Sequence, residues 1–293
     1  MIFLVASIIL TSYLTLSFKM LERLSIPSLQ AIVFNYITCV ITGSLVNGAF
    51  PINAASVSQP WFSWAIIMGL IFITLFNIIA FTAQKIGVAV ASVANKLSLV
   101  IPFLFSLYLY DEKLTVLKLA GIILALAAVL CTCWPHRDIQ GSTIKSPHGF
   151  LLLVPFVLFI GSGILDTMVK YVQQSFLNDA NKDSYLITSF AVAASAGLLL
   201  LGWLFFNGKQ KFDKRTVLAG VLIGIPNYFS IWTLVKVLAA NKGNSSAIFP
   251  IVNIGIVLFS TLMAYLVFRE KLSKLNWTGI AMAVTAIMLM ARG

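Results

Sequence analysis

The stretch DEKLTVLKLAGIILALAAVLC at residues 111–131 returns in altered form as REKLSKLNWTGIAMAVTAIML at residues 269–289. Both stretches begin with a Glu-Lys-Leu entry and continue as an apolar run in which glycine and alanine hold the same places. Each run has the length, about 20 residues, that an α-helix needs to cross a bilayer. The repeat therefore predicts two related halves, each of which ends in a membrane-spanning helix.

The composition points to the same class of protein. Hydrophobic residues make up 60% of the 293 residues, and charged residues make up 10%. A soluble domain cannot bury that much apolar surface, whereas a bilayer accommodates it. The net charge of +11 comes from cations scattered among the loops. Attraction to anionic lipid headgroups explains this charge, and no nucleic-acid partner is predicted.

Ten apolar runs are predicted to be membrane-spanning helices, because a span must satisfy its own backbone hydrogen bonds. The first five lie in residues 1–134 and the last five in residues 148–293, and the polar residues 135–147 link the two halves. The runs fall at residues 2–21, 29–48, 61–83, 87–110, 114–134, 149–172, 184–206, 216–239, 245–268 and 273–291.

Five spans per half is an odd number, so the second half must cross the membrane in the opposite direction to the first. We therefore predict an all-α polytopic membrane protein built from two inverted five-helix repeats. A weaker echo supports this relation, since Lys19 and Lys170 lie near the ends of the first span of each half.

The two repeated stretches also predict local structure. Thr115 and Ser273 are suited to N-cap the helices that follow them. Glu112 and Glu270 lie near those positive helix ends, which favour anions, or they belong to a gating ion pair. The small residues of both runs, Gly121 with Ala125 and Gly279 with Ala283, predict close packing of the two helices as a scaffold.

With its ten spans, its paired lysines and its paired Glu-Lys-Leu-Thr/Ser entries, the chain resembles the drug/metabolite transporter superfamily, and in particular its EamA-type branch. The resemblance covers nearly the whole chain. It implies secondary transport of small solutes, often outward, through a central cavity between the halves.

The distribution of loop cations and the resemblance disagree about orientation. Twelve Lys and Arg residues follow odd-numbered spans and five lie on the opposite side. The positive-inside rule then places both termini outside the cytoplasm. The resemblance implies that both termini are cytoplasmic.

Lys96 is the most informative candidate for a functional residue. It lies about 11 residues from Lys85 and 14 from Tyr110, which is too far from either end of its span for easy snorkelling. Buried ionisable groups in spans usually face a cavity. We predict that Lys96, with Asn95 beside it, contacts an anionic or zwitterionic solute. The alternative is a lysine paired with helix carbonyls or with a neighbouring side chain.

Asp166 is the one acidic residue well inside a predicted span and is a candidate for proton coupling. Lys170 lies four residues later on the same helix face, so the two could instead neutralise each other. Lys236 either contacts the solute or snorkels from the end of its span.

Further polar or aromatic residues inside spans complete the predicted binding site. Asn253 holds the place in the ninth span that Asn95 holds in the fourth, and Pro102 and Pro226 are predicted to break their helices, as happens near transport sites. Each of these features also serves ordinary packing. The remaining candidates are Asn77, Asn227, Tyr228 and Trp232.

These predictions give a consistent expectation. The protein is expected to move a small solute, an amino acid or related metabolite, by alternating access, with export as the expected direction. The alternatives are a nucleotide-sugar or lipid-linked carrier of the same fold and a non-transporting membrane protein. Proton coupling or exchange, a monomer or weak homodimer, and a bacterial inner membrane are expected. No cofactor, metal site or catalytic motif is predicted.

Overall fold

The computed structural model describes residues 2–48, 50–109, 115–133, 148–178, 180–240 and 245–292. These residues form twelve helices. The helices are α1 (Ile2–Arg23), α2 (Ser28–Asn47), α3 (Ala54–Val57), α4 (Phe62–Lys85), α5 (Val88–Leu97), α6 (Val100–Leu109), α7 (Val116–Cys133), α8 (His148–Ser175), α9 (Lys182–Phe206), α10 (Arg215–Ala240), α11 (Ser245–Phe268) and α12 (Lys274–Arg292).

Each of the ten predicted apolar runs contains one or two of these helices, and the described residues form no strand, which confirms the all-α class. Within the described ranges, eight helical segments are long and apolar enough to cross a membrane. The apolar helices at Val116–Thr132 and Lys274–Met290, within α7 and α12, are shorter. Glu112 and the linker at residues 135–147 lie outside the described residues.

The fourth apolar run is interrupted between α5 and α6, at Ser98 and Leu99. Pro102 has no backbone N–H, so it cannot bond the carbonyl of Ser98 four residues earlier. That carbonyl accepts instead from the N–H of Ile101 at 2.9 Å, in a tighter turn. The predicted break near Pro102 is therefore present.

The predicted break at Pro226 is wrong. Helix α10 runs without interruption from Arg215 to Ala240 with Pro226 inside it. The helix packs along α2 on both sides of this proline, and that packing compensates for the single backbone hydrogen bond that proline removes.

Both predicted N-caps form. The hydroxyl of Thr115 accepts from the N–H of Lys118 at 3.2 Å. The hydroxyl of Ser273 accepts from the N–H of Asn276 at 3.0 Å, and the Asn276 side chain accepts in return from the Ser273 N–H. Ser273 and Asn276 thus form a reciprocal cap at the start of α12.

Helices α7 and α12 pack side by side, as the small residues predicted. A Cβ atom added to Gly279 would lie 2.8 Å from the backbone nitrogen of Thr132, and one added to Gly121 would lie 3.0 Å from the carbonyl oxygen of Ala286. The backbones approach so closely that larger side chains do not fit at these two positions.

Four chain segments meet at one end of the helix bundle, where side chains hydrogen-bond from one segment to another. Arg215, for example, donates to the carbonyls of Leu24 and Ser25 at 3.2 Å. We call this end the Arg23 end. Its segments are residues 19–30, 84–88, 209–216 and 267–270.

We predict that Gly279→Leu lowers the free energy of unfolding by about 1–3 kcal/mol, because the new side chain overpacks the contact with α7. Thermal unfolding of the purified protein in detergent measures this effect. Gly202→Leu is the control, since a Cβ at Gly202 meets no atom within 4 Å. An equal loss of stability in both variants would contradict the close contact.

Candidate functional site

The interruption between α5 and α6 brings a hydroxyl to a carboxylate. The Ser98 hydroxyl lies 3.3 Å from an Asp166 carboxylate oxygen, within hydrogen-bond distance, and also contacts the Asn95 carbonyl within its own turn. Ser98 is fully buried, whereas Asp166 is exposed. The contact joins α8 to the break in the fourth apolar run.

Lys96 stands beside this contact. Its charge and that of Asp166 interact electrostatically, and the two side chains form no direct ion pair in the described part of the chain. Lys96 lies in the last turn of α5, where the negative end of the helix dipole favours a cation. Both Lys96 and Asn95 are half-buried. The structure thus brings together Lys96, Asn95 and Asp166, three of the residues predicted from the sequence.

Asp166 interacts electrostatically with Lys96 on α5, a lysine from a different helix. Neutralisation of Asp166 by Lys170, one turn along α8, stays a prediction.

Asp166 faces the inside of the bundle. The large exposed side chains of α8 form an apolar stripe on one face of the helix, and at 3.6 residues per turn Asp166 lies roughly 150° around the helix from that stripe. The stripe consists of Leu153, Val157, Ile160, Ile164 and Tyr171. Gly161 and Gly163 flank it and contact α4 and α6 through Leu75 and Ile101. The exposed Asp166 carboxylate thus lies on the inner face of α8, between two neighbouring helices.

Two surface concavities lie away from these residues. One, of about 510 Å³, is lined by the end of α2 and residues just after it, including Ser44 and Phe50. The other, of about 430 Å³, lies between α4 and α9 and is lined mostly by apolar groups. Both are open at the surface of the bundle, and neither contains Asp166 or Lys96. We place the candidate site at Asp166, where ionisable groups of two helices come together.

Two other predicted residues serve packing. Asn227 is buried between α10 and α2, where its amide donates to the Asn35 side-chain oxygen at 3.1 Å. Tyr228 is 4% exposed in the main hydrophobic core and packs close to Gly43. Helix α10 turns both residues toward α2, and their predicted role in solute binding stays a prediction.

The remaining candidates make other contacts. Lys236 is exposed, and its ammonium lies 5.1 Å from the centre of the Trp232 ring, which packs edge-on against Phe3 of α1. Asn77 donates to the carbonyl of Ile73 in its own helix at 2.7 Å. Asn253 is half-buried in α11.

The residue that the sequence prediction missed is Ser98. It is fully buried, and its hydroxyl reaches Asp166 across the helix interface. A signal was present in the sequence, since Ser98 lies four residues before Pro102 and so has a carbonyl that the helix cannot bond. Serine has many uses in apolar helices, so this signal alone does not identify a site.

The chemistry of this contact is that of binding. An ammonium and a carboxylate that are close without being directly paired can each accept the opposite charge of a bound molecule. The buried hydroxyl of Ser98 holds one carboxylate oxygen in place. We therefore take Asp166, Lys96, Asn95 and Ser98 as the candidate solute site and use this name below.

The comparisons with known proteins agree with the resemblance predicted from the sequence. Residues 149–292 match the EamA-like transporter family. An uncharacterized protein of Haemophilus influenzae is 29% identical over 276 residues, covering 92% of this chain and 90% of the relative. The apolar helices make the chain an integral membrane protein, and its second half is similar to a transporter family.

A crystal structure of another protein shares the fold. It superposes with a TM-score of 0.60 at 18% sequence identity, over 98% of this chain and 94% of its own. At this level of identity the likeness concerns the fold and carries no information about the solute.

We predict that Asp166→Cys reacts with a charged, membrane-impermeant thiol reagent and that Ile164→Cys does not, when the protein is in a bilayer. Both positions are exposed, but Asp166 faces the inside of the bundle and Ile164 belongs to the apolar stripe. Thiols in hydrocarbon stay protonated and meet no charged reagent. Labelling is followed by mass spectrometry in a protein that also carries Cys131→Ser and Cys133→Ser. Cys39 is retained because it is fully buried. Equal labelling at the two positions would rule out an inner aqueous space.

Proposed function

We propose that the protein is a secondary transporter that moves a small zwitterionic solute, an amino acid or a related metabolite, by alternating access. The single observation that carries the proposal is the candidate solute site, in which an exposed carboxylate and a nearby ammonium face the inside of an apolar bundle. Charged groups at such depth are costly in a membrane protein, and their ordinary use there is to bind solutes or ions.

The zwitterion follows from the two charges. An α-amino acid carries an ammonium and a carboxylate a few bonds apart, and Asp166 and Lys96 offer the opposite charges on facing helices. The half-buried Asn95 adds an amide that can donate or accept a hydrogen bond. A solute that bridges the two charged side chains would neutralise both at once, which favours it over a singly charged one.

The proposed architecture is ten membrane spans in two inverted five-helix repeats. Helix–helix contacts support this proposal, because they come in pairs that the repeat relates. The contact of α1 with α10 matches that of α8 with α4, and the contact of α1 with α11 matches that of α8 with α5 and α6. The contact of α2 with α10 likewise matches that of α9 with α4. Two related halves of opposite orientation provide the two states that alternating access needs.

Departures from this pairing support a conformation that is closed at the Arg23 end. Helix α1 also packs against α4 and α5, whereas in the described part of the chain the matching contacts of α8 with α10 and α11 are at most marginal. In an inverted repeat, the two halves exchange conformations when the open side of the transporter changes. The contacts that α1 makes in one state are then made by α8 in the other.

The membrane, the direction and the coupling complete the proposal. The helical spans and the relative from Haemophilus influenzae support a bacterial inner membrane. Export is the direction that the family resemblance implies. Asp166 is the candidate for proton coupling, because a carboxylate that faces the solute can exchange a proton as the solute binds and leaves.

We predict that an amino-acid-like solute raises the thermal unfolding temperature of the purified protein and that Lys96→Ala and Asp166→Asn each weaken this effect. Loss of one charge-assisted contact lowers the affinity by about tenfold or more. Screening solutes by thermal shift and then measuring counterflow in proteoliposomes tests both parts, since ligand stabilisation depends on concentration relative to Kd. Lys214→Ala, at an exposed position of the Arg23 end, is the control. Unchanged affinity and counterflow in both site variants would overturn the proposal.

A further inference from the structure

Glu270 does not cap the helix that follows it in the chain. Its carboxylate accepts from the N–H of Val88, with distances of 2.9 Å and 3.2 Å to the two oxygens. Val88 is the first residue of α5, so the acidic side chain of the α11–α12 connection caps a helix in the other half of the chain. The first N–H groups of a helix have no partner within the helix and carry its positive dipole end, which an anion stabilises.

Arg23 makes the opposite contact at the same place. Its guanidinium, at the end of α1, donates to the carbonyls of Val267 and Phe268 at 3.1 Å and 2.7 Å, and its carbon atom lies 4.6 Å from the centre of the Phe268 ring. These carbonyls end α11, where the negative dipole end favours a cation. The chain between residues 267 and 270 is thus held from both sides, by a cation of α1 and by an N–H of α5.

The backbone around this contact is shaped to allow it. Arg269 adopts a left-handed conformation, with φ of 53°, which lets the chain turn back after α11. Gly87, directly before α5, has a φ of 146°, which side-chain-bearing residues rarely adopt. A Cβ atom on Gly87 would lie 3.2 Å from the Glu270 carboxylate. Glycine is therefore required at this position for two reasons, the backbone conformation and the close approach of the carboxylate.

We propose that Glu270, Arg23 and Gly87 form a gate that holds the Arg23 end closed and must open for the candidate solute site to become accessible from that end. The proposal rests on the proposed transport function. The three residues join α1 and α5 of the first half to the α11–α12 connection of the second, so any movement between the halves that opens this end must break these contacts.

Nearby contacts at the same end have a different role. Glu22 accepts from Lys19 at 2.9 Å and from Lys85 at 3.1 Å, which ties α1 to α4 within the first half. These groups resemble Glu270 in charge and location, but they do not join the two halves. Glu22 therefore offers a matched control for the loss of a carboxylate at this end.

The distance between spin labels attached at Leu24→Cys and Lys271→Cys tests the gate. The protein also carries Cys131→Ser and Cys133→Ser, and it is measured in lipid nanodiscs without solute. Both label positions are exposed and lie on the two sides of the contact. We expect Glu270→Ala and Arg23→Ala to raise the ratio of the longer-distance population to the shorter one by about tenfold, because each removes a charge-assisted hydrogen bond. Glu270→Gln keeps an oxygen for Val88 and should resemble the wild type at low pH, where the Glu270 carboxyl is neutral.

The controls decide the outcome. Glu22→Ala should leave the distance distribution as in the wild type. Gly87→Ala should open the end even though Glu270 is present, and it serves as the test if Glu270→Ala does not yield folded protein. An unchanged distribution in these gate variants, or equal opening in Glu22→Ala, would overturn the gate. Since no solute is present, this failure is distinct from a failure of solute binding or counterflow.

A pH dependence follows from the surroundings of Glu270. Burial raises its pKa above the ordinary value of 4.5, while the Val88 N–H and the charges of Lys19 and Arg23, the charged groups that face it, oppose this rise. When the end opens, the carboxyl returns to water and to its ordinary pKa, so the closed state binds the proton more tightly. This part of the closed state's stability is fully present below the ordinary pKa and is lost as the pH rises through the raised value.

We therefore predict that the longer-distance population of the wild type grows as the pH rises from about 4.5 through the raised pKa of Glu270. The neutral carboxyl can still accept from the Val88 N–H, and it avoids the cost of burying a charge. The same spin-label pair measured across pH checks this. Glu270→Gln should remove this dependence, and a dependence of the same size in that variant would assign it to another group.

Discussion

Backbone N–H and carbonyl groups that cannot reach water constrain every part of this protein that lies in the membrane. Regular helices satisfy this constraint, and the described chain is helical almost throughout. The exceptions are therefore informative. At Ser98 and Leu99 a proline withdraws a hydrogen-bond donor, the turn tightens, and a buried hydroxyl becomes available to Asp166 from another helix. The break in the helix follows from one missing N–H group, and the polar contact lies at that break.

The helix ends obey the same constraint. Each end leaves N–H or carbonyl groups without intrahelical partners, and the Arg23 end supplies those partners from other parts of the chain. Arg23 satisfies carbonyls that end α11, and Glu270 satisfies an N–H that begins α5. Because these partners come from different halves, capping interactions form part of the contact between the halves at this end, beside the helix packing elsewhere. Such interactions can be exchanged for water when the end opens, which a packed apolar interface does not allow at similar cost.

The sequence was sufficient to predict the helices and their local caps. The span boundaries follow from apolar length, and the caps at Thr115 and Ser273 follow from residue type at a helix start. Close packing of α7 and α12 follows from small residues at equal places in two repeated stretches. All these properties depend on near neighbours in the chain or on an internal repeat. The repeat's relation to membrane topology stays a prediction, since contacts between helices do not by themselves locate a bilayer.

The candidate solute site was predicted less completely, because a side chain's role there depends on which helix lies opposite. Lys96 and Asp166 were each identified as candidates because they lie far from the ends of their predicted spans. Their proximity depends on α5 and α8 being neighbours, which the sequence did not predict. Asn227 is another polar residue inside a predicted span, and the sequence could not show that α10 turns it toward Asn35 of α2. The role of Glu270 was predicted in part. Its sequence position predicted a helix-capping role, yet the helix that it caps is 182 residues away in the chain. A carboxylate that caps a distant helix stabilises one arrangement of the two halves, whereas one that caps its own helix would stabilise every arrangement equally.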